Sequence, residues 1–156
     1  MEFLAQLHPR IVHFPVAFLT IYVLLEITGV LSKKDFFQKA AYLFLLLGVL
    51  TAIAAVITGN QAADIAARWK DKGAVIPSGL ISEHEESATL TLWYFTGLLV
   101  LRTVLILKKK FTGPVQYVLV VLAVLGASFI YRTGNQGGNL VYDHGVGTVL
   151  KKEEIK

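Results

Sequence analysis

The sequence predicts an all-α polytopic membrane protein, a bundle of four transmembrane helices built from two duplicated helical hairpins. Hydrophobic residues make up 54% of the 156 residues, and the mean hydropathy is +0.60. The apolar residues fall into four blocks, each near the roughly 20 residues with which a helix crosses the hydrocarbon. The motif TGNQ stands at residues 58–61 and again at 133–136. This recurrence predicts that the two halves of the chain arose from one hairpin.

The four blocks predict spans at residues 11–31, 40–57, 88–107 and 115–131. Because backbone groups in lipid must find their hydrogen bonds within the segment, each span should be an α-helix. Pro9 suits the first position of the first helix, and Pro15 should bend that helix because proline has no N–H to donate. Ser82 should cap the third helix, in the sequence SEHE. The fourth helix should end near Arg132.

Lysines in two short connections predict the orientation of the chain. Three lysines lie within residues 32–39, and three more lie within residues 107–113. By the positive-inside rule, these connections face the cytoplasm. Both termini, the loop 59–87 and the C-terminal segment 133–156 should then lie outside a prokaryotic cytoplasmic (inner) membrane that the chain crosses several times. The offset of 75 positions between the TGNQ motifs also relates lysines of the two connections.

The composition excludes several functional classes. The chain has no cysteine, which rules out disulfides, thiolate iron–sulfur clusters, covalently attached haem and cysteine nucleophiles. The net charge of +4 lies in short clusters between apolar blocks, as in membrane loops, and forms no basic stripe for nucleic acid. No nucleophile–base pair and no phosphate-binding loop is recognisable. A non-catalytic subunit is therefore favoured over an enzyme, and no nucleic-acid partner is expected.

The candidate functional residues are the four histidines, His8, His13, His84 and His144. In the predicted topology all four lie on the outer side, and none lies in a lysine connection. Neutral imidazole is a ligand for haem iron, copper and zinc, and helix bundles hold such cofactors between facing helices. Interfacial histidines can also be simple polar caps. Small residues in the second and fourth helices either pack closely or leave a cavity beneath the histidines.

The expected depths of the histidines in the membrane predict which of them are haem ligands. His13 and His84 stand where the first helix of each hairpin begins, and they should face each other as axial ligands of one haem b iron. The glycine-rich segment GGNLVYDHG should return over the bundle and bring His144 near His8. These two histidines would then form a second haem site or a lid.

Four charged residues complete the candidate set. Arg10 and Arg132 lie at the level of the histidines, where they could bind haem propionates or extend to lipid headgroups. Glu26 and Arg102 lie inside spans, at equivalent depth in the two hairpins, and this predicts a buried ion pair. A structural role for the pair is favoured over a proton path.

Three segments carry a family resemblance: LHPRIVHFPVAFL at 7–19, SEHEESA at 82–88 and GGNLVYDHGVG at 137–147. With them the chain resembles, over nearly its whole length, a prokaryotic family of predicted membrane proteins known as domain of unknown function 2231. The resemblance implies a four-span bundle. Some relatives look fused or adjacent to redox modules, which implies electron transfer.

Together these observations predict a membrane-embedded, b-type cytochrome-like electron-transfer subunit that binds one or two haems near the outer face. The expected partners are the lipid bilayer, a redox or respiratory membrane complex, and a quinone or a periplasmic electron carrier. Two alternatives stay open. One is a cofactor-free structural or assembly subunit of a membrane complex, and the other is a membrane protein with histidine-ligated copper or zinc.

Overall fold

The computed structural model describes residues 2–71 and 76–146, and in these residues it contains five α-helices and no strand. The helices are α1 (Glu2–Ile11), α2 (His13–Ser32), α3 (Asp35–Asp71), α4 (Ser78–Leu107) and α5 (Gly113–Tyr142). Four stretches are long and apolar enough to cross a bilayer: Phe3–Ser32, Asp35–Lys70, Ser78–Leu107 and Gly113–Tyr142. The predicted all-α membrane fold with four spans is thereby confirmed.

The first span consists of α1 and α2. The helix is interrupted at Val12, whose φ of −59° and ψ of −24° remain right-handed. Pro15 has no N–H for the carbonyl of Ile11, which accounts for a break just before the proline. Pro9 lies inside α1, which begins at Glu2, so the prediction that the first helix begins at Pro9 is wrong.

The helices extend well beyond the predicted spans. α3 continues to Asp71 and α4 begins at Ser78, so most of the predicted loop 59–87 is helical, and Ser82 lies inside α4 instead of capping it. α5 continues to Tyr142, through glycines for which the sequence predicts a return of the chain. Contacts between helices outweigh the helix penalty of about 1 kcal/mol for each glycine. The remaining residues of the predicted C-terminal segment, 147–156, lie outside the described residues.

The four spans form a ring in which consecutive helices run in opposite directions. α2 packs against α3 and α5, and α4 packs against the same two helices. α2 and α4 lie diagonally opposite, with no close approach of their main chains in the described residues. α1 packs mainly against α3. The end of the ring with His8 and His84 is called the histidine end, and the end with Lys33 and Lys109 is called the lysine end.

Side chains of the diagonal helices meet at the axis of the bundle. Tyr22 of α2 and Phe95 of α4 stack edge to face, with ring centroids 6.1 Å apart. Leu19 packs against Gly48 of α3, and Phe95 packs against Gly126 of α5. Leu19 and Phe95 are 76 positions apart, whereas Gly48 and Gly126 are 78 positions apart. The TGNQ motifs of α3 and α5 are 75 positions apart. Their offset therefore differs by three residues from the offset between the two glycines.

The surface of the spans is apolar. Large hydrophobic side chains are exposed along all four spans: Phe14, Leu24, Leu50, Ile53, Trp93, Val100, Val121 and Val124. An exposed apolar surface around four long helices matches the tails of lipids, which are as apolar as leucine. The bundle is therefore embedded in a lipid bilayer.

Candidate functional site

His8 lies in α1 and contacts α3. Its Nδ1 is 3.1 Å from the carbonyl oxygen of Ala55 and 3.2 Å from Oγ1 of Thr58. The Thr58 hydroxyl donates to carbonyls of its own helix, at 2.9 and 3.0 Å, and a carbonyl can only accept. In the neutral ring, Nδ1 of His8 must therefore carry the proton. Its Nε2 is left with a lone pair.

His84 lies in α4 and contacts α5 in a corresponding way. Its Nδ1 is buried without a hydrogen bond to any described residue, and the main chain of Thr133 is its polar neighbour. Both histidine rings pack against glycines. A β-carbon at Gly59 would lie 2.9 Å from Cε1 of His8, and a β-carbon at Gly137 would lie 3.1 Å from Cε1 of His84. Each hairpin thus holds one imidazole against a glycine of its second helix.

The two imidazoles lie at the same end of the bundle. They are close enough to interact electrostatically, although they belong to different hairpins. His8 and His84 are 76 positions apart, which is also the offset between Leu19 and Phe95. Within the described part of the chain, neither ring uses its Nε2 in a hydrogen bond. Two ring nitrogens from equivalent positions, neither hydrogen-bonded to a described residue, are therefore found at the histidine end.

Polar side chains of α3 and α5 line the same end. Oγ1 of Thr133 is 2.9 Å from Oγ1 of Thr91 in α4. The glutamine of each TGNQ motif, Gln61 or Gln136, follows its threonine by three residues and so lies about one turn further out on the same helix face. The amide oxygen of each glutamine is buried and has no hydrogen-bond partner among residues 2–71 and 76–146. The repeated motif is the sequence signal that marks these residues, although sequence reasoning did not assign them to the site.

The other predicted site residues lie apart from the pair. His13 is exposed on α2, whereas the predicted pairing requires it to face His84 from inside the bundle. Arg10 on α1 and Arg132 on α5 are exposed near the histidine end. His144 is exposed in the turn that follows α5. Across the described residues, no group of three or more histidine, aspartate or glutamate side chains is placed to hold a metal ion.

Glu26 and Arg102 meet on the axis, toward the lysine end. Nη1 of Arg102 donates to Oε2 of Glu26, and both side chains are buried. Nη2 donates to the main-chain oxygen of Gln38 at 2.8 Å and to its Oε1 at 3.1 Å. The guanidinium carbon lies 4.8 Å from the centroid of the Phe111 ring, within reach of a cation–π interaction. No sequence signal places Gln38 or Phe111 beside this arginine.

The sequence comparison agrees with this architecture. Residues 5–150 match the family described as predicted membrane protein, DUF2231. The match covers most of the chain, and the chain therefore belongs to this family. No curated protein and no solved structure matches it.

Proposed function

We propose that this member of the DUF2231 family binds a b-type haem through His8 and His84 and carries electrons as a membrane subunit. One observation supports this proposal above the others. Two imidazoles stand at equivalent positions of the two hairpins, and each has an Nε2 without a hydrogen bond to the described residues. Imidazole is a common axial ligand of haem iron, and helix bundles hold cofactors ligated from facing helices.

The hydrogen bonds of His8 would suit a metal ligand. A metal-bound histidine almost always donates its other ring N–H to a carbonyl, a carboxylate or water, which fixes the tautomer and the ring orientation. Nδ1 of His8 has this arrangement with the Ala55 carbonyl and the Thr58 hydroxyl. For His84, the main chain of Thr133 is the neighbour in the corresponding place.

The number of protein ligands favours haem over the metal alternatives. A porphyrin supplies the equatorial ligands of its iron, so two imidazoles suffice to complete the coordination. Structural zinc takes four protein ligands, and catalytic zinc usually takes three. The part of the chain that the structure describes offers no group of three or more candidate ligands.

The residues of this chain have separate roles in the proposal. Bound haem supplies reversible transfer of one electron at its iron. His8 and His84 would hold the iron, while Gly59 and Gly137 leave room for the two rings. The exposed Arg10 and Arg132 are available to haem propionates near the same end.

Orientation decides which partners can reach the site. The lysine end faces the cytoplasm under the positive-inside rule, which puts the histidine end at the outer face of a prokaryotic cytoplasmic membrane. Electron partners would then be a quinone within the bilayer or a periplasmic electron carrier. On this proposal the protein works as a subunit of a redox or respiratory membrane complex.

The visible spectrum of the purified protein tests the proposal. We expect a Soret band in the wild type and in the matched control His13→Ala, because His13 is exposed and outside the pair. The double variant His8→Ala/His84→Ala should lose the band. Copper or zinc in a wild-type protein without a Soret band would favour the metal alternative. A protein with neither would favour a structural or assembly subunit.

A further inference from the structure

Six lysines form an exposed positive surface at the lysine end. Residues 32–39 and 107–113 contain these lysines together with a single acidic residue, Asp35. All six side chains are exposed: Lys33, Lys34, Lys39, Lys108, Lys109 and Lys110. Among residues 2–71 and 76–146, none of their ammonium groups forms a salt bridge or a hydrogen bond. The lysine end therefore carries positive charge that no ion pair in this part of the protein neutralises.

Two of these lysines occupy a backbone conformation that favours glycine. Lys33 follows α2 and Lys109 follows α4, and each has a φ of 54°. In the part of the chain that the structure describes, no other residue except glycine has a positive φ. The two lysines are 76 positions apart, the same offset as His8 and His84. Each hairpin thus ends its first helix with a left-handed lysine.

Glycine would end these two helices at a lower conformational cost. A residue in the left-handed region holds its β-carbon too close to a carbonyl oxygen, and glycine has no β-carbon. Most helices that end with a left-handed residue use glycine there. A signal for membrane topology needs positive charge in the connection, but it does not need a lysine at that one position. Lysine at both left-handed positions therefore indicates that these two side chains have a function where they stand.

The surroundings of Lys33 and Lys109 indicate which anion is within their reach. Leu31 and Leu107, each two residues before a left-handed lysine, are 77% and 75% exposed, so they contact the acyl chains of lipids. Two residues correspond to about 3 Å along a helix, which puts the lysines near the headgroup layer. Only two residues separate α2 from α3, and five separate α4 from α5, so neither connection extends far beyond that layer. The phosphates of lipid headgroups are therefore the anions closest to these lysines.

We propose that the lysine end binds the headgroups of anionic phospholipids, with Lys33 and Lys109 as the principal contacts. Each lysine near a membrane surface strengthens binding to anionic lipids by about fivefold. The apolar stems of the lysines can lie along exposed leucines while their ammonium groups reach the phosphates. In the orientation that the lysines predict, these lipids belong to the cytoplasmic leaflet. This inference does not depend on the proposed haem.

Lipid binding to the purified protein tests the proposal. In detergent titrations followed by native mass spectrometry, we expect the wild type to bind phosphatidylglycerol more tightly than the zwitterionic phosphatidylcholine. Lys33→Gly/Lys109→Gly should weaken phosphatidylglycerol binding by about 25-fold, at about fivefold for each lysine, and leave phosphatidylcholine binding unchanged. Lys33→Arg/Lys109→Arg keeps both charges and should keep the preference. A wild type that does not prefer phosphatidylglycerol would overturn the proposal.

A matched double variant separates local contact from net charge. Arg68→Gln/Lys70→Gln also removes two positive charges, from exposed positions of α3 near the histidine end, and should bind phosphatidylglycerol as the wild type does. Glycine fits the left-handed positions without strain, so the helix content of Lys33→Gly/Lys109→Gly, measured by circular dichroism, should not fall. Equal weakening of phosphatidylglycerol binding in the two double variants would show an effect of net charge alone and overturn the proposal.

Discussion

The imidazole of His84 packs against the main chain of Gly137, where a β-carbon would lie 3.1 Å from the ring atom Cε1. Gly134, which belongs to the TGNQ motif and lies about one turn earlier in α5, has no atom within 4 Å of its β-carbon position among the described residues, apart from its chain neighbours and the nearby backbone of its own helix. Two glycines on one helix therefore differ in role. One makes room for a histidine ring, and the other faces open space.

We expect Gly137→Ala to displace the His84 ring and Gly134→Ala to leave it in place. Gly134→Ala should raise the free energy of unfolding by about 1 kcal/mol, because alanine is the better helix former. Overpacking against the ring should make Gly137→Ala less stable than Gly134→Ala by about 1–3 kcal/mol. Haem titration should show weaker haem binding in Gly137→Ala but not in Gly134→Ala. Equal unfolding free energies in the two variants would show that His84 does not occupy this contact.

The hydroxyl of Thr58 accepts a hydrogen bond from Nδ1 of His8 at 3.2 Å. Thr58→Val keeps the shape of the side chain and removes the oxygen, so it should weaken haem binding by about 10–100-fold, as other losses of an orienting partner do. Thr58→Ser retains a hydroxyl and serves as the control. The dissociation constant of haem is the quantity to measure. Wild-type affinity in Thr58→Val would mean that this hydroxyl does not orient the histidine.

The Glu26–Arg102 pair should behave as a coupled unit in unfolding. Glu26→Gln or Arg102→Met alone leaves one buried charge unpaired, and we expect each to lower the free energy of unfolding by about 3–5 kcal/mol. The double variant should lose less than the sum, because no unpaired charge remains. Unfolding of the four proteins in detergent micelles or bicelles gives the double-mutant cycle. Strictly additive losses would argue against the contact.

The spans could be predicted because they depend on hydropathy and on position along the chain. The choice between His8 and His13 depends instead on rotation about the helix axis, which depth does not fix. In an unbroken helix, five residues turn by about 500°, so the two side chains would point about 140° apart. The interruption at Val12, which lies between the two histidines, changes that angle further. The structure places His8 against α3 and leaves His13 exposed.

The ends of the helices could not be predicted from local sequence. Glycines after Arg132 indicate a turn on intrinsic preference alone, because glycine disfavours helix. One of these glycines, Gly137, contacts His84, which lies 53 positions earlier in the chain. No local sequence pattern predicts that contact. The TGNQ motifs correctly indicate that α3 and α5 are equivalent helices, because the two sequences are similar. Sequence similarity does not predict the packing register, which depends on the glycine that each large side chain contacts.

Single cysteines can establish the orientation, because the chain has none of its own. Lys33→Cys and Lys109→Cys should stay unlabelled when intact cells meet an impermeant thiol reagent, since lysine-rich connections face the cytoplasm. Asp64→Cys and His144→Cys should be labelled. All four positions are exposed, so burial cannot account for a difference. The reverse pattern would invert the orientation while leaving His8 and His84 at one end.

The spin state of ferric iron in the proposed haem tests the His8–His84 pair most directly. Two imidazole ligands give six-coordinate, low-spin iron, and loss of one of them should give high-spin iron. Electron paramagnetic resonance should therefore show low-spin haem in the wild type and in His13→Ala, and high-spin haem in His8→Ala and in His84→Ala. Low-spin haem that persists unchanged in either of these last two variants, or a high-spin wild type, would contradict the pair.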